Sequence, residues 1–197
     1  MTSGQFQQDA IFGLTSSPKN LPAKYFYDAR GSELFEKITE TDEYYVTRVE
    51  TAILRDNAGP IADALGAGCA LIELGSGSSR KILQLLERME NPLVYVPIDI
   101  STETLVQAAD DLRRRYSHLS VVPVNADYGG AWTLPQEAKD CTNRIAFFPG
   151  STIGNLDPDE ARRFLVGLRE RLGVGGKLLI GIDLVKDGKT LEAAYND

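Results

Sequence analysis

The stretch Ala70-Leu71-Ile72-Glu73-Leu74-Gly75-Ser76-Gly77-Ser78-Ser79-Arg80-Lys81 constrains the fold more than any other. Its apolar run suits a central parallel strand covered on both faces. Gly75 and Gly77 then allow positive φ and a close approach of backbone to ligand, and the amides opening the following helix would face that ligand. A nucleotide-like cofactor is therefore expected here, although a purely structural turn would use the same glycines.

The dinucleotide pattern G-x-G-x-x-G is not met, because the third glycine position holds Arg80. Glu73, two residues before Gly75, gives E-x-G-x-G instead. That pattern resembles the first motif of S-adenosylmethionine-dependent methyltransferases of Rossmann-like fold.

A chain of 197 residues, 43% apolar, has enough hydrophobic material for one α/β domain with a short extension. With 28 acidic and 21 basic residues its net charge is −7, which disfavours a nucleic-acid partner. The basic run Arg113-Arg114-Arg115 reads as a solvated helix face. Cys69 and Cys141 lack the spacing of a disulfide framework or zinc site, so no metal and a reducing cytoplasmic setting are expected. No apolar run approaches the roughly 20 residues that span a bilayer, and the polar start Met1-Thr2-Ser3-Gly4-Gln5 lacks a signal-peptide core, so no membrane association is expected.

Residues 1–20 read as a flexible arm with a short helix around Gln7 to Gly13, and residues 21–66 as a helical segment on the substrate side. Within that segment Ser32 is expected to open a helix, 41–48 to form a loop, and Val49 to Leu65 to form two helices interrupted by Gly59-Pro60. From 67 to 197 helices and strands alternate. A helix is expected over Lys81 to Met89, strands over Leu93–Ile100, Leu119–Val124, Arg144–Pro149 and Lys177–Asp183, a Ser101-capped helix to Tyr116, and a helix from Asp157 or Asp159 to Leu172. This is a doubly wound, mostly parallel α/β sheet. Asp99 and Asp127 fall at strand ends, where such sheets bind ligands. Asp99 is placed to accept ribose hydroxyls, and Asp127 to accept an adenine amine with Tyr128 against the ring; a helix cap is the plainer role for Asp99.

Five segments together resemble the histidine-specific S-adenosylmethionine-dependent methyltransferase family, whose bacterial members trimethylate the α-amine of histidine on the route to ergothioneine. They are L-P-A-K-Y-F-Y-D-A-R-G-S-E-L-F at 21–35, E-Y-Y-V-T-R at 43–48, E-L-G-S-G-S-S-R-K at 73–81, P-G-S-T-I-G-N at 149–155 and A-A-Y-N-D at 193–197. The resemblance implies a class I methyltransferase fold and S-adenosylmethionine as cofactor. Gly75 and Lys81 would contact its methionine part, Asp99 the ribose, and Asp127 with Tyr128 the adenine, with Gly77 also binding the cofactor. Tyr45, Asn155 and Tyr195 would hold the amino acid, with Tyr45 and Asn155 nearest the chemistry. The family continues past A-Y-N-D with two more strands, so its last strands and some substrate residues are expected to be missing. An intact protein is expected to be a monomer, and this chain to self-associate through an uncovered sheet edge.

Methyl transfer from a sulfonium is an in-line displacement by a neutral amine, which the site must hold about 3 Å from the methyl carbon. Neither Tyr45 nor Asn155 is a strong base. Other readings of the residues are methylation of another amine such as a tryptophan derivative, ligand binding without catalysis, and a nucleotide-dependent oxidoreductase, which lacks its third glycine.

Overall fold

The computed structural model describes residues 3–77 and 79–196. Met1 and Thr2 of the expected arm, Ser78 of the glycine loop and Asp197 of the last motif lie outside the described residues. The chain opens with helix α1 (Ser3–Thr15), longer than the short helix expected there, followed by a 3-10 turn at Ala23–Phe26. Phe6 of α1 packs edge-on against Tyr25, with ring centroids 4.9 Å apart.

Helix α2 (Ala29–Thr39) begins before Ser32, because Asp28 caps it by accepting from the Gly31 amide at 2.7 Å. Helix α3 (Tyr45–Asp56) likewise takes up Tyr45 to Arg48, expected as loop, with Val46 and Leu54 buried as its anchors. Helix α4 (Ala58–Leu65) follows. The break between them falls at Asn57, not at Gly59-Pro60. Pro60 sits in the first turn of α4, where its missing N–H leaves no helical bond unmade.

Strand β1 (Cys69–Leu74) has all six residues buried. Helix α5 is Arg80–Leu86, strand β2 Val94–Asp99 and helix α6 Thr102–Arg115. The expected third strand is split into β3 (Ser120–Val121) and β4 (Val124–Asn125). Bonds to β2 come from alternate residues, Val122 N to Tyr95 O at 2.9 Å and Ala126 N to Asp99 O at 3.0 Å, so Pro123 turns its missing N–H away from β2, and the donor absent from this ladder is that of Pro97 in β2.

The short helix α7 (Gln136–Lys139), not anticipated from sequence, precedes β5 (Asn143–Phe148). Helix α8 (Pro158–Leu172) starts at Asp157 through a capping box with Glu160. Strand β6 covers only Lys177–Ile180 and helix α9 spans Gly188–Tyr195. Past Ile180 the backbone makes one more sheet bond, Gly181 N to Phe148 O at 3.0 Å, and then leaves the sheet as Asp183 N turns to Ser151 Oγ at 3.0 Å.

The strands run in the order β3-β2-β1-β5-β6, with β4 also on β2, and every pairing is parallel. Successive side chains of one strand alternate between two apolar layers. Leu71, Tyr95, Ile145 and Phe147 pack with Leu54, Ile82, Leu85 and Leu112 on one face. Ile72, Leu74, Ile98 and Phe148 pack with Trp132, Leu168 and Leu172 on the other. Each fully buried Leu or Ile contributes roughly 1.5–3 kcal/mol. Later strands lie on either side of β1, so the order reverses between β1 and β5 and a crevice opens at their carboxyl ends. The three arginines at the end of α6 each reach a carboxylate: Asp110, Asp111 and Glu87. No helix among the described residues is long and apolar enough to cross a membrane.

Candidate active site

The turn after β1 carries Gly75 at φ 73° and Gly77 at φ 49°, the left-handed region that glycine tolerates. A Cβ on Gly75 would stand 3.3 Å from the Tyr128 ring, whereas one on Gly77 would meet nothing within 4 Å, leaving open room beside the loop. Ser76 Oγ is buried there and finds no partner among the described residues. A loop with free space and an unsatisfied hydroxyl fits a polar ligand such as the expected cofactor.

Asp99, at the end of β2, braces this loop. Its Oδ2 accepts from the Gly77 amide and its Oδ1 from the Ser101 amide, both at 2.9 Å. A carboxylate oxygen has two acceptor positions, so each keeps one for a ligand hydroxyl. The loop brace and the ribose role expected for Asp99 are thus compatible.

Asp127 follows β4. Its Oδ1 accepts from the Gly129 amide at 2.9 Å, and its Oδ2 from Lys24 Nζ at 3.2 Å. Lys24 also lies 3.6 Å from Asp9 of α1, which ties the N-terminal helix to this end of the crevice. The adjacent Tyr128 ring meets Phe148 and Phe164 edge-on, with centroids 5.4 and 6.0 Å away, and burial pushes its hydroxyl pKa well up. Trp132 Nε1 donates to the Tyr128 carbonyl at 2.9 Å, and the Arg171 guanidinium lies over the indole at 4.9 Å.

Lys81, in the first turn of α5, is paired with Glu50 of α3 at 2.6 Å. Sequence reasoning missed Glu50, since nothing local marks an acid 31 positions away as its partner. It also left Glu73 without a partner. The structure buries this carboxyl to 2% exposure and gives it the Tyr95 hydroxyl, which in turn lies 3.0 Å from Ser79 Oγ. Burial pushes the Glu73 pKa up to about 8 against the opposing pull of Tyr95 and Lys81. A lone acid within A-L-I-E-L was the available signal.

Tyr45 opens α3 and donates to the Asp183 carboxylate, which also receives Lys186 Nζ. Loss of solvent, then the bond to Asp183, pushes the Tyr45 pKa up to about 12, so at neutral pH it is a donor and not a base. Burial alone would raise Asp183, but bonds from Lys186 and Tyr45 outweigh it and hold the carboxyl below its usual range. Because Asp183 N also bonds Ser151 Oγ, the segment after β6 meets the loop that carries Asn155, which is exposed at the end of a 3-10 turn, Thr152–Asn155.

Tyr195 of α9 is 59% exposed, and its ring meets Tyr44 edge-on at 5.7 Å. Tyr44 continues to Phe35 at 6.0 Å, and Phe35 to Tyr27 at 5.8 Å. Tyr27, unremarked in the sequence, is half-buried; loss of solvent raises its pKa, and the charges of Asp99 and Tyr195 add to this. The aromatic row therefore runs from Tyr195 of α9 through Tyr44 and Phe35 to Tyr27. Gly75, Gly77, Asp99 and Tyr128 come together around the loop after β1, Asp127 flanks them, and Tyr45 and Tyr195 lie beside α3 and α9.

Residues 6–197 match the family described as histidine-specific methyltransferase, S-adenosylmethionine-dependent. The histidine N-alpha-methyltransferase of Mycobacterium tuberculosis (strain CDC 1551 / Oshkosh) is 40% identical over 195 residues, covering 97% of this chain and 59% of that protein. Ergothioneine biosynthesis protein 1 of Neurospora crassa is 35% identical over 193 residues, covering 95% of this chain and 22% of that protein. Among solved structures, the mitomycin 7-O-methyltransferase MmcR is similar with a TM-score of 0.55 and 14% identity, over 97% of this chain and 53% of that one. That likeness concerns the fold, which is the class I methyltransferase fold.

Proposed function

The chain belongs to the histidine-specific, S-adenosylmethionine-dependent methyltransferase family, and on that premise we propose that its protein transfers a methyl group from S-adenosylmethionine to the α-amine of L-histidine. The observation that carries this reading is the continuity of the match over residues 6–197, which takes in the glycine loop, α3 with Tyr45, and α9 with Tyr195. The chain spans 59% of the length of the Mycobacterium relative, so substrate and turnover are matters for experiment.

S-adenosylmethionine, when bound, supplies an electrophilic methyl group on a sulfonium. Gly75 and Gly77 leave backbone room beside it, Asp99 offers its two remaining acceptor positions to the ribose, and Asp127 with Tyr128 receives the adenine. Lys81 retains two N–H donors beyond its bond to Glu50, enough for the methionine carboxylate. On the other side Tyr45, Asn155 and Tyr195 hold the amino acid. Tyr45 is oriented by Asp183 and stays protonated, so it positions the amine instead of deprotonating it. Catalysis then rests on proximity and on a fixed direction of attack. The protein acts as a soluble enzyme on a small molecule, without nucleic acid or membrane.

The test is calorimetric titration with S-adenosylhomocysteine and then L-histidine, with mass spectrometry of histidine incubated with the protein and S-adenosylmethionine. Mass gains of one to three methyl groups on histidine are expected. Transfer to another amine with none to histidine would move the assignment within the family. No binding of S-adenosylhomocysteine would end it.

A further inference from the structure

The Glu50 carboxylate sits where three elements meet. From α3 it reaches Lys81 Nζ with Oε2 at 2.6 Å, while both of its oxygens accept from the amide of Gly150, just after β5, at 2.9 Å. The pair is enclosed, with the side chains of Lys81 and Glu50 19% and 14% exposed, unlike the open surface pairs of α6. The neighbouring backbone leaves space for it. A Cβ on Gly181 would fall 1.8 Å from Glu50 Oε1, and Gly150 stands at φ 81°.

A lysine ammonium is a compact charge on a flexible stem, and its direction is set by whatever accepts its hydrogen bonds. Here the acceptor is itself fixed, because the Gly150 amide lies two residues past the end of β5, a strand paired on both sides. Glu50 therefore dictates where the two remaining Lys81 donors point.

We propose that Glu50 is a positioning residue for the carboxylate end of the cofactor, acting through Lys81. The inference rests on the reading above, in which Lys81 meets the methionine carboxylate of S-adenosylmethionine. Glu50 touches neither cofactor nor substrate in this assignment. It also joins the glycine-loop side of the crevice to α3, the helix that begins with Tyr45.

Two measurements test it, one with ligand and one without. The ligands are S-adenosylhomocysteine and 5′-methylthioadenosine, which keeps the nucleoside and thioether but has no amino-acid part. Glu50→Ala is expected to weaken S-adenosylhomocysteine about tenfold and 5′-methylthioadenosine by less than about twofold. Lys81→Ala should do the same, and the double variant should be no worse than Lys81→Ala alone, since the two residues act as one unit. Glu50→Gln keeps an acceptor of the same shape and should recover part of the loss. Equal losses for both ligands would mean that Glu50 only supports the fold, and additive losses that it acts apart from Lys81; either overturns the proposal.

The second measurement follows acetylation of Lys81 by an N-hydroxysuccinimide ester on the folded, ligand-free protein, read by mass spectrometry. Release from Glu50 should raise the rate about tenfold in Glu50→Ala, in line with the loss of a charge-assisted bond. An unchanged rate overturns the proposal whether or not ligand binds. A wild-type protein that fails to bind S-adenosylhomocysteine, yet shows the acetylation response, faults the cofactor reading and leaves Glu50 as the residue that directs Lys81.

Discussion

The Tyr45 hydroxyl donates to the Asp183 carboxylate across 138 positions of sequence, joining the first turn of α3 to the segment that leaves β6. The bond fixes the direction of the hydroxyl and, with the loss of solvent there, keeps it protonated. Tyr45→Phe keeps the ring and removes the donor, and Asp183 keeps Lys186 as a partner. The KM for histidine should rise about tenfold, with the affinity for S-adenosylhomocysteine unchanged within about twofold. Steady-state kinetics with varied histidine checks this, and an unchanged KM would remove Tyr45 from the substrate side.

Asp99 serves two purposes, so its loss should show in two readings. Asp99→Ala frees the Gly77 and Ser101 amides and removes the acceptors proposed for the ribose. Equilibrium dialysis should show cofactor affinity weakened by about 2 kcal/mol, the scale of hydrogen bonds to a charged group, and the melting temperature should fall. A lower melting temperature with normal affinity would leave Asp99 as a brace alone.

Glu73 gives a pH dependence whose sign follows from its raised pKa. Its folded value of about 8 lies above the ordinary 4.5. The native protein thus keeps a proton that the unfolded chain releases, and the contribution to stability is complete below pH 4.5 and is lost as pH rises through about 8. Glu73→Gln removes the titration while keeping a polar group beside Tyr95. Thermal melts of both proteins should diverge in favour of the variant between about pH 5 and about pH 8. Parallel curves would show that Glu73 is ionised in the fold throughout.

The glycine loop and the acid at the end of β2 were legible in the sequence because each answers a local requirement. Gly75 and Gly77 need positive φ, and Asp99 follows an apolar strand directly. The partners of Lys81, Asp127 and Tyr45 were not, because Glu50, Lys24 and Asp183 are brought to them by the fold and no periodicity records that. Expected boundaries failed where one residue overrode a pattern, as with the Asp28 cap of α2 and with Pro97 of β2, which splits the strand beside it. Pro97, inside the expected second strand, was a readable warning, since its missing N–H interrupts the ladder on one side.

Strand β6 pairs with β5 on one side, and among the described residues no strand lies on the other. Leu178 on this edge is 38% exposed and Ile182 just beyond it 61%. Such an edge invites another copy, so light scattering should show mass rising with protein concentration. Leu178→Lys should reduce that rise, because a charge on an edge strand discourages pairing. A monomer at every concentration would count against the edge as a contact.

Trp132 is the one tryptophan of the chain, and it is fixed to the backbone of Tyr128, on the rim where the adenine is proposed to lie. Arg171 covers the indole face and donates to the Trp132 carbonyl at 3.2 Å, so the chromophore is held between a cation and the Tyr128 backbone. The protein thus carries its own optical gauge. Its emission should change as the Tyr128 segment adjusts to an arriving nucleoside, with no label attached and no second indole to dilute the signal.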